Sequence, residues 1–141
     1  IAFCIDESVY ADHITKRQPY SINDVKEDQL RIKNNQGKLV WLPSSCFTDT
    51  EIPTIESIHI DDPINDHQHA CIEVTISFSN GEKRWTIFTT TSWVANLLNA
   101  HANYVEGSGF IFLKEINEEN IKLAINELDA QNQLIAITRK Y

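Results

Sequence analysis

Five acidic side chains in the middle of the chain, Glu56, Asp61, Asp62, Asp66 and Glu73, are the residues whose type and spacing suggest chemistry. No Lys or Arg lies between Lys38 and Lys83, and the same stretch also holds Asp49, Glu51 and Glu82. Carboxylates gathered without counter-charges raise the local negative potential and steer a cationic protein into contact. The chemistry on offer is thus the binding of a basic protein partner, with Glu56, Asp61, Asp62, Asp66 and Glu73 as contact residues. An ordinary solvated surface carrying one acidic loop would show the same run. Of the net charge of −8, most falls in the second half: residues from 53 onward hold twelve acids against six bases, the first 52 eight against six.

Other chemistries find less support. Asp61, Asp62, Asp66, His67 and His69 are metal-ligating types, and two His at i and i+2 beside carboxylates are compatible with zinc. Their spacing matches no strong zinc signature and no cysteine pair joins them, so neither a metal nor a cofactor is expected, and a metal-dependent enzyme is the lesser alternative. There is no Gly-x-Ser-x-Gly, no phosphate-binding Gly-rich loop and no dinucleotide fingerprint. A Cys–His pair from Cys71 with His69 or His67 would have to assemble in space. A non-enzymatic protein is therefore expected. Net negative charge argues against nucleic acid and against anionic membranes as partners.

These side chains need a framework. With 42% hydrophobic residues and only four Gly and four Pro in 141 positions, the chain has the makings of a packed core. Cys4, Cys46 and Cys71 are an odd, unclustered set, read as structural thiols of a reducing cytoplasm. No apolar run has membrane-span length. Asp6 and Glu7 follow too soon after Ile1 for a signal peptide.

In the first half, strands are expected at 1–5 and 19–22, then Gln29–Lys33 and Lys38–Leu42 joined by the turn Asn34-Asn35-Gln36-Gly37. Pro43 should end the last of these, and Ser44–Phe47 should form a tight helical turn that drops Phe47 into the core. In the second half, Ile55, Ile58 and Ile60 mark a strand, 61–69 a loop, and Cys71–Phe78 and Arg84–Thr89 a hairpin around Asn80-Gly81. Arg84 is expected to pair with Glu73 across it. Thr91-Ser92 should open a helix with Trp93, Val94, Leu97, Leu98 and His101 on one face. Gly107 and Gly109 flank a loop before an apolar strand at Phe110–Leu113. Asn117 should cap a helix carrying the stripe Ile121, Ala124, Ile125 and Leu128, and Leu134–Ile137 reads as a closing strand. Trp41, Trp85 and Trp93 are assigned to the core.

Strands alone, followed by strands with two helices, make an α+β reading: a small β-barrel-like module over 1–52, then a β-hairpin sheet packed by two helices over 53–141, with one core shared or not. The first part resembles a small bacterial β-barrel module, through Cys4-Ile5-Asp6, Tyr20, Arg31 to Gly37, Trp41-Leu42-Pro43 and Cys46-Phe47. The usual Gly-Lys-x-Tyr turn is replaced here by Lys16-Arg17-Gln18-Pro19-Tyr20, which lacks the glycine. That resemblance implies a fold and no activity. In size, acidity and mixed character the whole chain resembles immunity proteins of bacterial contact-dependent toxin systems. This implies occlusion of the basic active site of a nuclease-type toxin; an adaptor without a toxin partner is the alternative.

Overall fold

The computed structural model describes residues 1–100 and 109–141. The protein is α+β and divides into two compact units, Ile1–Pro53 and Thr54–Tyr141. His101 and Gly107 lie outside the described residues. No helix among those described is long and apolar enough to cross a membrane.

The first unit holds two three-stranded antiparallel sheets. One orders its strands β2 (Pro19–Tyr20), β1 (Ala2–Cys4) and β6 (Phe47–Thr48); the other orders β3 (Ile22–Lys26), β4 (Gln29–Lys33) and β5 (Leu39–Pro43). The two ladders stay separate, and no closed barrel forms among the described residues. Both contribute to one core of Ala2, Cys4, Ile14, Tyr20, Ile32, Leu42, Cys46 and Phe47. Ile14 gives no periodic signal in sequence, because it stands alone in a polar loop, yet it is fully buried.

The turn between β4 and β5 forms as its residues dictate. Gly37 takes φ +79°, and the Asn34 carboxamide oxygen accepts from the backbone N–H of Gln36 and Lys38. Period-two alternation places Leu42 inward and Trp41 outward: Trp41 is 37% exposed and Leu39 49%. The expectation of a core Trp41 is therefore corrected. Alternation groups Trp41 with Leu39, but the packed face of β5 is the one carrying Leu42. Pro43 stays within the ladder, opposite Gln29, on an edge strand where a missing N–H is tolerated. A 3-10 turn over Ser44–Cys46 then delivers Phe47 to the core.

The second unit is a five-stranded sheet. Its main path runs β10 (Phe110–Phe112), β9 (Lys83–Thr89), β8 (Cys71–Phe78) and β7 (Ile55–Ile60), and β11 (Arg139–Lys140) also pairs with β9. Asn80-Gly81 turns the β8–β9 hairpin, with Gly81 at φ +85°. Strict alternation along β8 buries Ile72, Val74, Ile76 and Phe78 and leaves Glu73, Thr75 and Ser77 on the opposite, half-exposed face. Helix α2 (Glu118–Ala130), after α1 (Thr91–Ala100), buries Ile121 and Ile125 in the same core as the β8 side chains and Phe88.

Asn117 caps α2 by accepting from the Asn120 N–H at 2.7 Å, and Glu118 and Glu119 lie in the positive first turn. Replacing Asn117 by Ala is expected to cost about 1 kcal/mol in chemical denaturation, and Asn117→Ser should restore most of it.

Several expectations for this unit need correction. Residues Leu134–Ile137 form a short helix, α3, rather than a strand; the strand is Arg139–Lys140. A four-residue apolar run fits either form, and the Arg84 guanidinium selects helix by donating to the Ile135 and Thr138 carbonyls at its C-terminal end. Strand β10 runs parallel to β9, a pairing that needs a crossover, and α1 lies in that connection. The cap of α1 is Thr90, whose hydroxyl accepts from the Trp93 N–H, while Ser92 donates to the Gln68 carbonyl. No described residue of α1 is fully buried, and Trp93 is half-buried. Trp85 is also only half-buried, on the same side as Ile87, with the Arg139 guanidinium 5.8 Å from its ring centre.

Candidate functional site

Three of the five predicted contact residues meet where β7 leaves the sheet. Beyond Ile60 the chain turns so that the Asp61 N–H donates to the Glu73 carbonyl at 2.9 Å and the Asp62 carboxylate accepts from the Glu73 N–H at 2.8 Å. Asp61, Asp62 and Glu73 thus share one corner of the sheet. Asp66 lies farther along the loop and holds it by accepting from the Gln68 N–H. Glu56 is exposed on β7 beside a bulge between Ile55 and Ser57.

A hydrogen-bonded chain runs from that corner across the half-exposed face of the sheet. His59 Nδ1 is 2.7 Å from Asp61 Oδ1, and Asp61 Oδ2 accepts from the Thr75 hydroxyl at 2.7 Å. The Tyr141 hydroxyl lies 2.8 Å from Thr75 Oγ1 and 3.4 Å from Glu73 Oε1, and its single proton goes to one of the two, since that of Thr75 is given to Asp61. Cross-strand geometry explains the grouping: His59 stands opposite Thr75, and Thr75 opposite Trp85, so all point to one face. His59, Asp61, Thr75, Ser77, Lys83 and Tyr141 border an open groove of about 590 Å³. His59 and Asp61, two apart at the end of a strand, were a legible signal; Tyr141, sixty-six positions from Thr75, was not.

Among the described residues, none of the five carboxylates forms an ion pair with Lys or Arg. Ion pairs among the described residues include His59–Asp61, Arg84–Glu82 and Lys122–Glu118. Lys83 borders the groove without such a contact. The expected Arg84–Glu73 pair is absent because the register puts Ile76 opposite Arg84 and Ile87 opposite Glu73. Arg84 instead binds Glu82 at 3.0 Å and Thr138, and it holds the Glu82 carboxyl below the usual carboxylate range.

The metal-ligating residue types of the 61–69 loop are drawn apart by their own hydrogen bonds. His67 Nδ1 contacts the Ile116 carbonyl, and His69 Nδ1 the Ser92 hydroxyl. Among the described residues no three His, Cys, Asp or Glu side chains are placed to hold a metal ion. Asp66, His69 and Cys71 line a separate cavity of about 230 Å³ with Trp93.

Burial works against thiolate formation at all three cysteines. Burial pushes Cys4 up to about 11, and burial likewise raises Cys46 and Cys71 despite the Thr89 hydroxyl beside Cys71. A raised pKa leaves less thiolate at a given pH. Alkylation of Cys4 at pH 8 is therefore expected to run about a hundredfold slower than that of an exposed cysteine. It should quicken as pH approaches 11 or when the protein is unfolded, as mass spectrometry of the labelled peptides would register.

No protein-family model, no curated protein and no solved structure matches this chain.

Proposed function

We propose that this chain is a non-enzymatic binding protein that engages a basic protein through the acidic corner of its second unit. One observation carries the reading: Asp61, Asp62 and Glu73 come together at the end of β7, and among the described residues no Lys or Arg forms an ion pair with them. Exposed carboxylates in such an arrangement accelerate encounter with a cationic surface. In its most concrete form the protein is an immunity protein. The corner then occupies the basic active-site cleft of a nuclease-type toxin and competes there with the nucleic acid substrate. The test is capture of bound protein from the native cell, followed by association kinetics across salt concentrations. A basic partner whose association slows steeply with salt is the expected result. A partner of neutral charge, bound equally well at high salt, contradicts the reading.

A second reading has its own observation. Trp41 and Leu39 are exposed on β5 of the first unit, opposite Arg31 and Lys33. An adaptor that docks through this unit would use Trp41 as an anchor. Trp41→Ala would then abolish capture, whereas the acidic-corner reading leaves capture intact.

A further inference from the structure

Strand β7 pairs on one side only, with β8, and among the described residues its backbone makes no hydrogen bond on the other. An open edge presents unpaired N–H and C=O groups to any strand that can approach. The bulge between Ile55 and Ser57 bends the start of the strand, leaving Ser57–Ile60 as its regular part. Two features of this edge select what fits it. Ile58 and Ile60 stand opposite the buried Ile76 and Val74, so they face the core, yet both are only half-buried. His59 points to the other face, where its ring is 76% exposed and contacts Asp61.

We infer that the outer edge of β7 is a strand-addition site for an extended segment of a basic protein, with apolar and basic residues alternating. Its apolar side chains extend the core-facing layer over Ile58 and Ile60, while its basic side chains fall on the face of His59 and Asp61 and near Glu56. Ladder hydrogen bonds supply affinity and the alternation supplies specificity. A second copy of this chain is disfavoured as occupant, because it would set Glu56, Asp61 and Asp62 against their own kind. The inference rests on the basic-partner reading and adds to it the mode of docking.

Three synthetic peptides test it on the full chain at low ionic strength. The first alternates valine and lysine over the length of β7. The second has the same composition in blocks. The third is the first with N-methyl groups on every other amide, which removes ladder donors and keeps charge and side chains. Binding of the first peptide with slowed amide exchange at residues 57–60 is expected, with both others weaker by at least about tenfold, the scale of one or two lost hydrogen bonds. Equal binding of all three without protection of 57–60 overturns strand addition and leaves the acidic-surface reading standing. No binding by any of them overturns both.

Discussion

Phe88→Ala is expected to lower the stability of the second unit by about 3–5 kcal/mol, the range for removing a fully buried aromatic ring from a packed core. Phe88 has no exposed surface and stands between Ile72 on β8 and Ile111 on β10. Three strands therefore converge on its ring, and the core of Val74, Ile76, Ile121 and Ile125 is shared with it. Strands held on both sides cannot collapse far into the vacated space, so the cavity term stays large. Total stabilities of about 5–15 kcal/mol leave little margin after such a loss. Urea denaturation followed by far-ultraviolet circular dichroism would measure it. A loss under 1 kcal/mol would mean that the ring is not enclosed as described. Trp41→Ala, on an exposed face of β5, is expected to cost far less.

On the proposed basic-partner reading, reversing charge at the acidic corner and at Glu56 on β7 should have the largest effect on association. Glu56→Lys, Asp61→Lys and Glu73→Lys together are expected to slow binding of the basic partner by about a hundredfold at low ionic strength, since steering of this kind spans about 10 to 1,000-fold in rate. Asp62 is left intact in this variant because its carboxylate holds the Glu73 N–H, and its loss would disturb the loop itself. The difference between variant and parent should shrink as salt rises, because exposed charges are screened beyond about a Debye length. Stopped-flow association with the captured partner reads both quantities, and circular dichroism checks the fold. Unchanged rates in a folded variant would remove the acidic corner from the interface.

Much of this fold was readable because neighbouring residues determine it. Alternation over Cys71–Phe78 with β-branched and aromatic residues, followed by Asn80-Gly81, leaves few options besides a hairpin, since the turn demands positive φ and the pleat demands period two. Asn117 ahead of Glu118 and Glu119 marks a helix start by capping and charge alone. The absence of bases from 39 to 82 is a property of composition; it removes local counter-charges and leaves open which cations folding brings near, as it brings Lys83 to the groove that Asp61 borders.

What sequence could not supply were the decisions made by distant partners. Period two groups Trp41 with Leu39 without saying which side of β5 is covered; Leu42 and Ile32 packing together settles that. The run Leu134–Ile137 suits a strand or a helix equally, and the Arg84 fork, fifty positions away, supplies the donors that complete the helix end. Arg84 itself finds Glu82 and Thr138 rather than Glu73, because register sends its side chain to the core-facing side and that of Glu73 to the other. Tyr141 joins His59, Asp61, Thr75 and Glu73 only once β11 pairs with β9. Local propensity and charge content are set by neighbours along the chain. The exposed face, the ion pairs and the corner where carboxylates meet depend on contacts between residues far apart in sequence, and only folding selects among them.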